Sequence, residues 1–433
     1  MEKNIMEDLK WLVRKWGIPL LILLGVLIYG VCILGQTEQE NKKEAEKNSE
    51  SQKDVFVSDV EKQEWGEQED NSDYELKNIE IKSEEREEIL EKLQLVAEKC
   101  KPIYIQADKG EASNIVLEEE DVHQMIECIA EAGYPIGCGG DDYNMQNYES
   151  VHDKLIQAKK GYDTETEFYV INSSAIISYN NLQFVDGNLF VTYGSVTFND
   201  NMDVVITYME KIEVYKWEYT EKGWMIWEKA LSRNQEMDMH VFHRILPLEG
   251  RCREFGSKCI IPISYFCNNL FLTDWDDDSM QKVEFNDLFE FLYTMDTGMW
   301  FDSDKYLDGI PKEEFEILIQ KYFDISSEDL RRYAGYDEHT GTYPWSAIGY
   351  WNRIQQFQPF PEVVKCVENE DGTISIYVDA VFREWGNDCS FSHIVTIREK
   401  DDGTWIYCGN KVDWENAFSV PDYKPRRDYI ESN

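Results

Sequence analysis

One acidic run in the sequence has the ligand types that a calcium ion prefers. Asp274, Asp276 and Asp278 lie within five consecutive residues, and carboxylate oxygens are common protein ligands of Ca²⁺. An EF-hand loop that began at Asp274 would need glycine at its sixth position and glutamate at its twelfth. The sequence has Ser279 and Phe285 there. Two interpretations stay open: a calcium site of another kind, or a solvated acidic loop that precedes a helix.

A second set of residues has the ligand types that suit zinc. His240, His243, Cys252 and Cys259 lie within twenty residues, and imidazole and thiolate groups are the usual zinc ligands. Their spacing fits no common zinc template, and no Cys-x-x-Cys occurs in the chain. Surface or hydrogen-bonded histidines therefore explain the same residues without a metal.

No spacing in the sequence predicts a catalytic site or a bound cofactor. The chain has no Gly-x-Ser-x-Gly, no phosphate-binding glycine loop and no dinucleotide fingerprint. Its 85 acidic residues make paired carboxylates uninformative, since some pair would be available by composition alone. Four tryptophans could stack on sugar rings, although core packing and sheet faces explain them more simply; they are Trp275, Trp300, Trp345 and Trp351.

The charge of the chain excludes nucleic acid as a partner. The 433 residues carry a formal net charge of −42, whereas binding to phosphates needs a basic patch. Such an excess of negative charge keeps a protein soluble, and it also favours a basic protein partner.

Cysteine usage leaves the pairing open. Nine of the ten cysteines lie beyond Cys32, so at least one of the nine is unpaired. The sequence favours Cys252–Cys259 or Cys252–Cys267 as a disulfide, because these residues are close in the chain.

Residues 18–35 predict a transmembrane helix. They form an uncharged run of eighteen residues, close to the roughly 20 that cross a bilayer. Arg14 and Lys15 precede the run and Glu38 follows it, which predicts a cytoplasmic N-terminus and an extracytoplasmic remainder at the cell membrane. A cleaved signal peptide and a lipoprotein anchored at Cys32 are the alternatives.

The remaining chain divides by composition. Residues 1–17 are predicted as a basic cytoplasmic segment and residues 36–85 as a disordered acidic stalk, since the latter has few apolar residues. Two folded domains are expected at 86–250 and 251–420, followed by a tail at 421–433.

Both predicted domains begin with helices and continue with strands. Glu118–Ala132 and Pro311–Tyr322 have apolar residues at helical spacing, and each is followed by β-branched or aromatic runs. The order suggests a duplication, because each set of strands contains a Gly-Trp type turn, at Gly223 and at Gly403. The predicted fold class is α+β: one N-terminal transmembrane helix, then two tandem units of helices packed on curved antiparallel sheets.

The closing strands at Gly223–Ile226 and Gly403–Ile406 resemble those of the NTF2-like (cystatin-like) fold. Tandem NTF2-like units behind one membrane helix are similar to the VirB8-related scaffold proteins of conjugation channels, which implies an interaction protein without catalytic residues. The segments around Pro262–Trp275 and Gly309–Phe315 also resemble surface proteins of Gram-positive anaerobes with no assigned activity.

Two functions follow as hypotheses. The first is a membrane-anchored extracytoplasmic interaction or scaffold protein with a protein partner in the cell envelope. The second is a surface module that binds or hydrolyses an envelope or dietary polymer. Neither hypothesis involves a cofactor.

Overall fold

The computed structural model describes residues 74–110, 115–139, 143–232, 239–347 and 358–426. The part from Ser72 to the C-terminus is one compact unit. The segments predicted as cytoplasmic and transmembrane lie outside the described residues. Among the helices that are described, none is both long and apolar enough to cross a membrane.

Seven α-helices lie in the described part of the chain. They are α1 (Ser83–Gln106), α2 (Glu119–Glu131), α3 (Glu149–Lys159), α4 (Gly250–Phe255), α5 (Phe285–Thr297), α6 (Lys312–Tyr322) and α7 (Ser327–Tyr333). Local chemistry explains their starts. Acidic residues occupy the first turn of α2, where their negative charge interacts favourably with the positive end of the helix dipole. Ser326 caps α7 by accepting a hydrogen bond from the Asp329 amide.

The N-terminal sheet has five strands in sequence order. They are β2 (Ile136–Cys138), β3 (Thr164–Ile171), β4 (Ile177–Val185), β5 (Asn188–Phe198) and β6 (Val204–Glu213). β2 pairs parallel to β3, and the other pairs are antiparallel. Asp186 and Gly187 both have positive φ between β4 and β5, as a tight two-residue hairpin requires.

The central sheet has four strands, and β8 (Trp224–Ser232) pairs with all three others. They are β1 (Tyr74–Leu76), β7 (Lys216–Tyr219) and β9 (Met239–Arg244). β1 lies in the stretch predicted as the end of the stalk. It is ordered because its backbone pairs with Ala230–Ser232.

The C-terminal sheet has the order β10-β16-β15-β14-β13. Its strands are β10 (Trp275–Asp276), β13 (Phe360–Glu368), β14 (Ile374–Val381), β15 (Ser392–Glu399) and β16 (Trp405–Val412). All of its pairs are antiparallel. A separate two-stranded ribbon joins β11 (Ile310–Pro311) to β12 (Thr342–Tyr343).

Each sheet is covered differently. On one face of the N-terminal sheet, α1 and α2 pack on residues such as Tyr169 and Ile177. On its other face, α3 and the central sheet bury Phe168 and Leu182. The largest core lies between one face of the C-terminal sheet and helices α4 to α7.

Buried charges join the central and C-terminal sheets. Arg244 lies 3.4 Å from Glu362 in an ion pair, and the Trp224 indole donates to Glu362 over 3.2 Å. Lys222 pairs with Asp379 beside them. Burial raises the pKa of the Glu362 carboxyl, because the charged form is poorly solvated there.

The predicted architecture is wrong, although the α+β class within that prediction is confirmed. We expected two tandem units, each with one curved antiparallel sheet, behind a transmembrane helix. The strands of the first predicted unit divide between two sheets, one of which contains a parallel pair. No described helix could cross a membrane, and residues 18–35 lie outside the described chain.

Candidate functional site

A cavity of about 440 Å³ lies where β10 joins the edge of the C-terminal sheet. Its volume falls in the range of small-molecule sites. Polar and charged groups form much of its lining, among them Asp274, Asp276, Lys282, Thr396, Asn410 and Lys411.

A close approach of two backbones forms the floor of the cavity. Trp275 pairs with Asn410, and Asp276 pairs with Gly409. A Cβ atom on Gly409 would lie 3.0 Å from the Trp275 carbonyl oxygen, so a side chain there would push β10 away. The Trp275 ring is buried and donates its indole N–H to the Leu270 carbonyl over 2.8 Å.

Asp274 fixes the end of the sheet to the residues that follow it. Its Oδ1 accepts a hydrogen bond of 2.8 Å from the Val412 amide, and its Oδ2 accepts one of 3.0 Å from the Trp414 indole. The Lys282 ammonium donates to the backbone carbonyl of Asp274 over 3.0 Å. Each carboxylate oxygen thus already has a protein donor, which suits a positioning role.

The acidic run predicted as a metal site forms a hydrogen-bonded turn. Asp276 Oδ1 accepts a 2.6 Å bond from the Ser279 hydroxyl, and Ser279 Oγ in turn accepts a 2.9 Å bond from the Asp276 amide. Asp274 and Asp276 line the cavity, whereas Asp278 does not. The described chain contains no group of three or more acidic, histidine or cysteine side chains that could hold a metal. The calcium interpretation of Asp274, Asp276 and Asp278 therefore stays a prediction.

The histidines and cysteines considered as zinc ligands have other surroundings. The His243 ring packs between the rings of Phe168 and Trp227. Burial lowers its pKa to about 3, which keeps it neutral. Cys259 donates to the Phe255 carbonyl over 3.1 Å.

Trp414 is an exposed aromatic residue that is hydrogen bonded to a residue of the cavity lining, Asp274. Its ring is 52% exposed, and the hydrogen bond to Asp274 holds the indole in place. Among the tryptophans predicted to stack on sugars, Trp275 and Trp345 are buried and Trp300 is 97% exposed. Trp351 lies outside the described residues.

Sequence reasoning missed Trp414. The signal was its position directly after the last strand, in the polar stretch Asp413–Asn416. Loops that leave a sheet are common places for binding residues.

The buried ion pair of Arg244 and Glu362 is a poor alternative site. The space beside Glu362 is about 10 Å³, which is enough for one water molecule at most. Trp224 and Arg244 both engage the Glu362 carboxylate. This cluster joins two sheets and leaves no room for a substrate.

Comparison with known proteins places the chain among sequences without an assigned role. Residues 86–426 match DUF6070, described as a family of unknown function. Over 141 residues the chain is 29% identical to the Kelch repeat protein B10 of Vaccinia virus, strains Ankara and Copenhagen. That match covers 33% of this chain and 67% and 64% of the two relatives. No solved structure matches the chain significantly.

Proposed function

The chain belongs to the DUF6070 family of unknown function, and we propose that it is a binding module for an uncharged, hydroxyl-rich polymer. The ligand would lie in the cavity at the β10 edge of the C-terminal sheet and against the Trp414 ring. The module binds its ligand without cleaving it.

The observation that carries the proposal is the hydrogen bond that joins Trp414 to Asp274, a residue of the cavity lining. A sugar ring has a face of C–H groups that packs on an aromatic ring, and hydroxyl groups around its edge that need donors and acceptors. Trp414 presents a half-exposed ring that is fixed by Asp274. Lysine, threonine and carboxylate residues lie in the cavity lining.

Charge favours an uncharged ligand. The cavity lining contains two aspartates and two lysines, Asp274, Asp276, Lys282 and Lys411, so its formal charges balance. The whole chain carries −42, which repels polyanions over the range of a Debye length.

The hydrogen bonds of the acidic groups favour binding over hydrolysis. Glycoside cleavage needs one carboxyl group that gives a proton and a second that attacks or activates water. Both oxygens of Asp274 accept protein hydrogen bonds, and Asp276 accepts one from Ser279.

The proposed location is the outer side of the cell membrane, on the surface of a Gram-positive cell. This part of the proposal comes from the sequence, from the charges around residues 18–35 and from the resemblance to surface proteins of Gram-positive anaerobes. Residues 18–35 lie outside the described residues, and the resemblance is one of sequence alone.

The test is retention of the full-length protein on insoluble polysaccharides and on peptidoglycan sacculi. We expect saturable binding to at least one uncharged glycan, and a loss of at least about tenfold in affinity for Trp414→Ala, since that equals about 1.4 kcal/mol. Trp385→Ala is the matched control, because Trp385 is 61% exposed and lies beside the Phe382 ring, whereas Trp414 is bonded to a residue of the cavity lining. Flat binding curves for all polymers, or equal losses in both variants, would contradict the proposal.

A second candidate is the scaffold function, with a protein partner, by analogy with the VirB8-related proteins. Its support is the chain segment after α5, where Met299 is 56% exposed and Trp300 is 97% exposed. Tryptophan is enriched among residues that dominate protein interfaces. Crosslinking in intact cells tests this candidate: it predicts one discrete envelope protein with the native chain and its loss with Trp300→Ala. Recovery of the same partner with Trp300→Ala would count against it.

A further inference from the structure

We propose that Cys252 and Cys366 form a disulfide bond by exchange with a small-molecule disulfide. The bond would join α4 to β13, the outermost strand of the C-terminal sheet. Neither sequence-based pairing, Cys252–Cys259 nor Cys252–Cys267, anticipates it.

The geometry of the two thiols carries the proposal. Their sulfur atoms lie 3.9 Å apart, which is van der Waals contact. A disulfide needs about 2.05 Å between the sulfurs, so each side chain has to move by roughly 1 Å. The two residues are 114 positions apart in sequence, and their contact is a product of folding.

Other cysteines have different neighbours. Cys259 donates to the Phe255 carbonyl, and Cys100 donates to the Ala97 carbonyl. Cys259 also lies in the electrostatic field of Cys366, and Cys267 lies in that of Arg426 and Glu290. For Cys252, the thiol that the structure places in contact is Cys366.

Burial sets the order of the chemistry. Cys252 is 1% exposed, whereas Cys366 is partly exposed. The Cys366 thiolate therefore attacks a small disulfide first, forms a mixed disulfide and releases one thiol. The Cys252 thiolate then attacks the Cys366 sulfur and releases the second thiol. The protein loses two protons and two electrons, and the small disulfide is reduced to two thiols.

This exchange is slow at neutral pH. Burial raises the pKa of the Cys366 thiol to about 12 and also raises the pKa of the Cys252 thiol. Since the thiolate is the nucleophile, raising the pH accelerates closure. Once formed, the bond would be protected from reductants by the same burial.

The bond would strengthen a junction that already has polar contacts. Arg251 pairs with Glu368 over 2.8 Å across the same two elements. Asn144, from the loop after β2, donates to the Leu248 carbonyl just before α4. A covalent link here would hold the strand edge of the C-terminal sheet to the helix that follows the central sheet.

The experiment uses the full-length protein, equilibrated with oxidised and reduced glutathione at mildly alkaline pH. The protein is then denatured, its free thiols are alkylated, and its peptides are mapped by mass spectrometry. We expect a loss of about 2 Da and a crosslinked peptide that contains Cys252 and Cys366. We also expect a melting temperature about 5 °C higher than that of the reduced protein.

Matched variants separate the bond from general effects of oxidation. The double variant Cys100→Ser with Cys128→Ser should keep the crosslinked peptide and the full thermal shift, whereas Cys252→Ser and Cys366→Ser should lose both. If all thiols of the oxidised native chain are alkylated, or if Cys252 is bridged to another cysteine, the proposal is overturned. The peptide map is made on the native sequence, so it does not depend on whether a variant folds.

Discussion

The two five-stranded sheets have similar local sequences but different surroundings. In the N-terminal sheet, helices cover one face and the central sheet covers the other. In the C-terminal sheet, β15 alternates between half-buried and buried residues from Ser392 to Ile397, and one core lies on its inner face. The central sheet covers the outer face near Val381, through Trp224 and Ile226. The candidate site lies on the sheet with the free face, because a sheet that is covered on both sides has no face left for a ligand.

Tyr377, Ile394, Thr396 and Cys408 mark that free face. All four are half-buried, and none belongs to a hydrophobic core of the described chain. A face that is half-buried without a core is typical of an antiparallel sheet with one side toward solvent. The comparison therefore predicts that substitutions in the covered faces will mainly lower stability, whereas substitutions on the free face of the C-terminal sheet will affect stability little.

The largest expected effect is in the core between the N-terminal and central sheets. Phe168 is fully buried there, and Phe168→Ala should lower the free energy of unfolding by about 3–5 kcal/mol. Ile394→Ala on the free face should cost about 1 kcal/mol or less. Chemical denaturation of the full-length variants measures both values. Equal costs would show that the outer face of the C-terminal sheet is covered after all.

The next effect concerns the residues that close the core of the C-terminal sheet. Arg426 is 1% exposed, lies 3.1 Å from Asp287 and 2.8 Å from Glu290, and donates to the Ser346 carbonyl. Arg426→Met leaves two buried carboxyl groups without their cation, so we expect a loss of about 3 kcal/mol at pH 7.

The loss should shrink at acid pH, because Glu290 then becomes protonated. The control is Lys424→Met, which removes the same charge from an exposed position two residues earlier. Denaturation curves at two pH values distinguish the variants. A similar cost for both would mean that net charge, and not the buried pair, is responsible.

Two histidines, His243 beside the N-terminal sheet and His393 in β15, should make stability depend on pH. Burial lowers the pKa of His243 to about 3 and that of His393 to about 4. A folded-state pKa below the unfolded value of about 6.5 means that stability is present above pH 6.5 and is lost as the pH falls. Each group should cost roughly 2.5 kcal/mol between pH 7 and 4.5.

The two histidines should respond differently to replacement. His243 lies between aromatic rings, so His243→Phe should remove its pH-dependent loss at small cost near neutrality. His393 is hydrogen bonded to Tyr265 and Asn410, so His393→Phe should also destabilise the protein at pH 7. Denaturation at pH 7 and 4.5 measures both effects. The exposed variant His339→Gln should keep the native pH dependence, and a changed slope there would contradict the assignment.

The smallest expected effect tests how tightly α1 covers the N-terminal sheet. A Cβ atom on Gly194 would lie 3.0 Å from Ile89 and 3.1 Å from Leu93, so Gly194→Ala should destabilise the protein by about 1 kcal/mol. Thr396→Ala on the free face should change stability by less than about 0.5 kcal/mol. Thermal melting of both variants compares them directly. If Gly194→Ala leaves the stability unchanged, α1 can shift away from the sheet without loss of packing, which contradicts the prediction.

Much of the secondary structure could be predicted from the sequence. The predicted helix Glu118–Ala132 corresponds to α2, within one residue at each end, because acidic residues and an apolar stripe define it locally. The pair Asn180-Asn181 has the residue types of a turn, but it lies within β4. There Asn180 is 2% exposed, and pairing with two neighbouring strands outweighs its turn preference.

The sequence by itself determined the α+β class, the Asp-Gly turns and the apolar faces of the helices. Asp-Gly pairs, capping residues and residue spacing act within a few positions, so these features follow from local chemistry. The tertiary structure decided which strands pair: β8 takes β1 and β9 as partners, and β2 joins β3 in parallel. It also brought Trp414 to Asp274 and Cys252 to Cys366, over 140 and 114 residues. A strand offers the same hydrogen-bonding groups to any partner, so burial over the whole chain, and not local pattern, selects the contacts that form a site.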